Sequence, residues 1–86
     1  MKKKLIIKNK FGLHARPAAV MVQTASKFKS KIKIVKDSQE VDGKSIMGLM
    51  TLAANAGSTI TLLADGDDEI QALQALEQLI ESGFGE

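Results

Sequence analysis

The sequence holds a single imidazole, and the residues around it decide what that ring can do. His14 lies within Gly12-Leu13-His14-Ala15-Arg16-Pro17-Ala18-Ala19, where a loop gives way to a helix. Pro17 suits the first helical turn, because the N–H it lacks would have no intrahelical partner there. The backbone N–H groups still free in that turn, beginning with Ala15, point outward at the positive end of the helix dipole and form a site for an anion. Arg16 adds a planar fork of donors matched to phosphate oxygens. The same positive end disfavours an imidazolium and so favours a neutral, nucleophilic ring. The chemistry that fits is attack on phosphorus, after which Arg16 and the helix end hold the charge that has arrived. A lone histidine is more often structural or merely exposed; the grouping with Arg16 and Pro17 argues for more.

Other chemistries find less support. There is no cysteine, which removes disulfides and thiolate metal sites, and a reducing cytoplasm is the natural compartment. No Ser-His-Asp set and no second strong general base accompanies His14 along the chain, so complete catalysis of a small-molecule reaction is not expected. Partner proteins must supply the rest. Gly43-Lys44-Ser45 resembles the end of a phosphate-binding loop, but position 38 is Ser where that pattern needs Gly. Asp65-Gly66-Asp67-Asp68-Glu69 is acidic but lacks calcium-loop spacing and reads as a turn followed by a helix cap. Neither a metal nor a cofactor is expected.

The elements that must carry His14 follow from periodicity. Lys3 to Lys8 suits a first strand with Leu5 and Ile7 on one face, followed by a loop at Asn9-Lys10-Phe11-Gly12. Ala18, Met21, Val22, Ala25 and Phe28 recur at helical spacing. Lys31 to Lys36 alternates and turns at Lys36-Asp37-Ser38 into a weak strand around Gln39 to Val41. Asp42-Gly43 turns again, and Ser45 is placed to cap a short helix ending near Leu52. After a connector at Ala53 to Gly57, Thr59 to Leu63 alternates as a last strand. Asp67 is expected to cap a final helix with Asp68 and Glu69 in its first turn, Ile70, Leu73, Leu76 and Ile80 as its buried stripe, and Gly83 as its stop. The order β-α-β-β-α-β-α predicts an α+β fold, an antiparallel sheet with its helices on one face.

Eighty-six residues at 9.2 kDa fit one domain spanning residues 1–86, and 44% hydrophobic with 26% charged residues is the balance of a globular chain. The net charge of +2 conceals a gradient: residues 1–36 carry +11 and residues 37–86 carry −9. A basic surface near the N-terminal elements is therefore expected, suited to acidic partners. Met1-Lys2-Lys3-Lys4 is followed by too short an apolar run for a signal peptide. The uncharged stretch from Ser45 to Ala64 is interrupted by Asn55, Gly57 and several Ser and Thr, which argues against insertion in a membrane.

Gly12-Leu13-His14-Ala15-Arg16-Pro17, together with Gly43-Lys44-Ser45-Ile46-Met47-Gly48-Leu49, resembles HPr, the histidine phosphocarrier family of the bacterial phosphoenolpyruvate sugar phosphotransferase system, and the likeness covers essentially the whole chain. That resemblance implies an open-faced β-sandwich with sheet order 1-4-2-3. It implies that His14 takes a phosphoryl group on Nδ1 from phosphorylated enzyme I and passes it to sugar-specific IIA components, with Arg16 as the active-site arginine. It also implies a carrier working as a monomer between enzymes rather than an enzyme itself.

Ser45 reads first as an N-cap. In many members of that family, the serine of this motif is also a regulatory phosphorylation site of HPr kinase/phosphorylase, and a phosphate at a helix N-terminus is electrostatically tolerated. On the short helix, Ile46, Met47 and Met50 share one side and Leu49 and Leu52 another. Either all are buried, or the Ile46, Met47 and Met50 side is an adaptable docking surface; the second reading is favoured, and the resemblance adds enzyme I, IIA components and a catabolite regulator as what docks. Lys27 and its neighbours are either solvated or steer acidic partners. Two alternatives from other classes are a nucleic-acid-binding α+β module, motivated by the basic first half but poor in aromatic residues, and a small ligand-binding regulatory domain. A paralogue serving a nitrogen-linked relay would carry the same motifs.

Overall fold

The computed structural model describes residues 1–86. Its elements are β1 (Lys2–Ile6), α1 (Ala15–Ala25), β2 (Lys31–Lys36), β3 (Gln39–Asp42), α2 (Ile46–Thr51), β4 (Thr59–Asp65) and α3 (Glu69–Glu81), then a 3₁₀ turn at Gly83–Gly85. The strands form one four-stranded antiparallel sheet in the order β1-β4-β2-β3, and the fold is the expected open-faced α+β sandwich with order 1-4-2-3.

Alternation places the sheet's inner face. Leu5, Ile32, Ile34, Ile60, Leu62 and Ala64 are buried, while Lys4, Ile6, Lys31, Lys33 and Thr59 face solvent on the open side. Antiparallel register brings Leu5 opposite Ile60 and Ile34 opposite Leu62, so the buried rows of three strands are continuous. From α1, Ala18, Met21 and Ala25 enter the same core with no exposure, and from α3 Ala72, Leu73, Leu76 and Ile80 do so. Burying a side chain the size of Met21 stabilises by about 1.5–3 kcal/mol, so the register of α1 on the sheet is strongly held.

Several sequence expectations need correction. The first strand ends at Ile6 rather than Lys8: Ile7 is buried but already leads out of the ladder, with its N–H on the Ser58 carbonyl at 2.9 Å. The third strand includes Asp42, and the fourth runs on to Asp65, pairing opposite Lys31. Phe28 packs partly buried against the core, but it lies beyond α1, whose C-cap is Ser26. Ile70 is 52% exposed. The buried stripe of Ala72, Leu73, Leu76 and Ile80 is centred about 105° from Ile70 at ~100° per residue.

The cap of α3 also differs. Asp68, not Asp67, is its N-cap, and the Asp68 carboxylate serves a different element. It accepts from the backbone N–H of Lys29 at 2.8 Å and of Ser30 at 2.9 Å, and from the Ser30 hydroxyl. That loop between α1 and β2 would otherwise leave donors unsatisfied beside buried Ser30. The Ser30 hydroxyl first, and then the Lys29 N–H, hold the Asp68 carboxyl below its ordinary 3.8.

The charge gradient folds onto itself only in part, with three lysines of the basic half in ion pairs. Because β1 lies beside α3, Lys3 pairs with Glu77 at 2.6 Å and Lys8 with Glu81, while Lys33 meets Glu40 at 3.2 Å on the open face. Such exposed pairs contribute about 0–1 kcal/mol each, so their main effect is to confine unpaired basic charge to fewer positions, among them Arg16, Lys27 and Lys29. The uncharged Ser45–Ala64 stretch divides among α2, a connector and β4, and no helix is long and apolar enough to cross a membrane.

Candidate functional site

The start of α1 is built from the core outward. Gly12 adopts φ +67°, and a Cβ there would sit 2.2 Å from the Ala54 carbonyl oxygen, so only glycine lets the chain pass. Leu13 is buried, and its N–H donates to that same carbonyl at 2.9 Å. With Leu13 anchored inward, His14 is sent out. It is the N-cap of α1, with extended backbone (φ −77°, ψ −174°) and no side-chain capping bond, and its ring is 40% exposed.

The helix end is bare. The first intrahelical bond runs from the Ala18 N–H to the His14 carbonyl at 3.0 Å, and Pro17 has no N–H, so the N–H groups of Ala15 and Arg16 remain without intrahelical acceptors. No acidic residue lies in the first turn. Pro17 is buried against the core, while Arg16 is exposed, with no ion pair or side-chain hydrogen bond to occupy its guanidinium. The exposed imidazole, two backbone donors and an uncommitted guanidinium therefore belong to one turn, an arrangement able to receive a phosphoryl group and hold its oxygens.

Three neighbours of His14 were not found by reading the sequence. Glu86 brings a carboxylate oxygen to 3.0 Å from His14 Nε2, a contact that the sequence reading does not include. Asn9, 6% exposed, donates from Nδ2 to the Gly12 carbonyl at 2.7 Å and to the other Glu86 oxygen at 2.9 Å. Phe11 stands edge-on to the imidazole with ring centroids 6.0 Å apart, and Lys10 Nζ lies 5.4 Å from the Phe11 centroid. Asn9 and Phe11 sit in a segment that sequence had marked only as a loop. Glu86 is 72 residues from His14 and belongs to no pattern that would announce it.

On α2, the Ser45 hydroxyl accepts from the Gly48 N–H at 3.1 Å, so the expected cap is present. Leu49 and Leu52 are buried, whereas Ile46, Met47 and Met50 are 41%, 73% and 43% exposed. One apolar side of this short helix thus faces solvent. Its far end is held by Lys36, whose Nζ donates to the Leu52 and Ala53 carbonyls at 3.5 and 3.2 Å. The next residue is Ala54, the acceptor that anchors Leu13, and α1 and α2 also pack against each other. Lys27 is exposed at the other end of α1, just past its C-cap.

Comparison with known proteins agrees over the same length. The family model described as PTS HPr component phosphorylation site matches residues 1–82. The phosphocarrier protein HPr of Treponema pallidum is 51% identical over 78 residues, covering 91% of this chain and 89% of that protein. The crystal structure of HPr-C-His from Thermoanaerobacter tengcongensis is 56% identical, covers 100% of this chain and 97% of its own, and superposes with a TM-score of 0.97. A crystal structure of an HPr dimer from the same organism is 58% identical, with a TM-score of 0.81 over 95% of this chain and 94% of its own. Since that relative forms a dimer, a monomer does not follow from this fold.

Proposed function

This chain belongs to the HPr family, the phosphocarriers of the phosphoenolpyruvate sugar phosphotransferase system, and from that premise we propose that His14 is its phosphoryl acceptor and donor. The ring takes the group from phosphorylated enzyme I and passes it to sugar-specific IIA components in the cytoplasm, without a cofactor or metal. The observation that carries this reading is the bare helix start, where an exposed imidazole shares one turn with two unpaired N–H groups and the free Arg16 guanidinium. The Ala15 and Arg16 N–H groups and the guanidinium hold the oxygens, and Pro17 fixes the turn without competing for them. The same donors that bind the arriving phosphoryl group are also present when it leaves.

Docking is assigned to Ile46, Met47 and Met50, an exposed apolar face on a helix packed against α1, with Lys27 steering acidic partners. Ser45 is the regulatory position. Phosphorylation there by an HPr kinase/phosphorylase would set a doubly charged group at the edge of that apolar face, opposing acidic partners while leaving the fold intact, and would present a new anion to a catabolite regulator.

The test is transfer from labelled phosphoenolpyruvate through enzyme I. Label on this chain that is lost in acid, retained in alkali and absent from His14→Ala is the expected result. A His14→Ala variant labelled like the parent would remove the proposal.

A further inference from the structure

We infer that Glu86 is a positioning residue for His14: anchored by Asn9, its carboxylate keeps the ring proton on Nε2 and so leaves Nδ1 as the one nitrogen open to phosphorus. This rests on the phosphocarrier reading above and deepens it. The Glu86 carboxylate is bound at both oxygens, one by Asn9 Nδ2 at 2.9 Å and one facing His14 Nε2 at 3.0 Å. Asn9 is in turn fixed by its 2.7 Å bond to the Gly12 carbonyl, in the turn that sends His14 outward. An ionised carboxylate can only accept, and a neutral imidazole carries one N–H, so this contact requires the hydrogen on Nε2 and the lone pair on Nδ1. Nδ1 makes no hydrogen bond of its own.

The step balances without moving that proton. The Nδ1 lone pair forms the new N–P bond as the donor's bond to phosphorus breaks, its electron pair leaving with the donor. The imidazole then carries positive charge, with hydrogen on Nε2 and phosphoryl on Nδ1, and the carboxylate faces it. Onward transfer returns the N–P electron pair to Nδ1. Glu86 thus acts twice, selecting the nitrogen beforehand and matching the ring's charge afterwards. The Glu86 side chain is 22% exposed and the ring 40%, so water screens part of the effect.

Phosphoramidate, a small phosphoryl donor that needs no protein partner and releases ammonia, tests the selection directly. The full chain and Glu86→Ala are phosphorylated with it, and the bonded nitrogen is identified by ¹⁵N–³¹P coupling on labelled protein. The expected result is Nδ1-phosphohistidine alone in the parent and a mixture with Nε2-phosphohistidine in Glu86→Ala, with unchanged melting. Transfer from phosphorylated enzyme I to Glu86→Ala should slow by about threefold to fivefold, as befits a partly screened pair. Asn9→Ala, which frees the carboxylate without deleting it, should give a smaller Nε2 fraction. If Glu86→Ala yields only Nδ1-phosphohistidine at the parental rate, the inference is overturned, as it is if the parent reacts at Nε2. A parent that shows the expected nitrogen selection yet accepts nothing from enzyme I would sink the carrier reading and leave the positioning role standing.

Discussion

The starts of α1 and α3 solve the same problem in opposite ways. Both expose backbone donors at the positive end of a dipole. At α3 the sequence sets negative charge around the end without capping the helix's own N–H groups: Glu69 accepts from the Gly66 N–H at 3.3 Å, and Asp68 ties the helix start to the Lys29–Ser30 loop. At α1 nothing fills the end. As at α3 the N-cap side chain makes no capping bond, but here there is no acid in the first turn, and the Glu86 carboxylate meets the imidazole rather than the backbone. A helix start surrounded by its own carboxylates repels a visiting anion, and of these two ends only that of α1 has no acid in its first turn.

Arg16→Ala should break the contrast most severely, because it removes the one side-chain cation at the bare end. Transfer from enzyme I is expected to fall about tenfold to a hundredfold, somewhat less than the loss of a buried oxyanion donor, since Arg16 is exposed. Ala15→Asp would make α1 resemble α3. A carboxylate in its first turn should stabilise the helix by about 0.5 kcal/mol yet lower phosphoryl acceptance roughly tenfold by occupying the N–H groups and repelling phosphate. Rapid-quench kinetics beside urea unfolding would expose the opposite signs. A variant that gains stability without losing rate would show that the vacant end is irrelevant.

Ser45→Ala addresses a third helix start, capped by a neutral hydroxyl, and should cost about 1 kcal/mol in urea unfolding while leaving phosphoryl acceptance near parental. The smallest effect is expected at α3. The Asp68 carboxyl is held below its ordinary value by the Ser30 hydroxyl and the Lys29 N–H, so it stabilises the folded chain above the ordinary carboxylate range, and that contribution is lost as pH falls through its lowered value. Asp68→Asn should therefore flatten the acid limb of a melting-temperature profile below about pH 4; a profile parallel to the parent's would deny the tie any weight.

Much of the reserved end was legible. His14, Arg16 and Pro17 are adjacent, and the constraints that place them at a helix start are local, so a few residues suffice to read them. Strand order was implied by resemblance rather than by periodicity, because sheet order is set by which rows of side chains bury together across the whole domain. What could not be read were contacts made by the finished fold. Asp68 reads as an ordinary first-turn acid, but it satisfies a loop 38 residues away. Ile70 fits a helical repeat with Leu73 yet lies at the edge of the buried stripe, about 105° from its centre at ~100° per residue, and is exposed. Phe84 reaches the core only through a left-handed backbone (φ 60°) that no pattern would assign to phenylalanine. Glu86 shows the same limit at the site itself.

One consequence follows from β1 lying beside β4, with Lys2 opposite Leu63. β1 is synthesised more than fifty residues before the strand it pairs with, and loop closure has to be met before that pairing returns anything. While the ribosome is still working on the connector before Thr59, Leu13 has just gained or still lacks its anchor at Ala54, and the inner face of β1 has no Ile60 to cover it. The backbone that turns His14 outward is thus held only once Ala54 and Ile60 are in place, so a chain terminated before Ala54 lacks the anchor of Leu13 altogether.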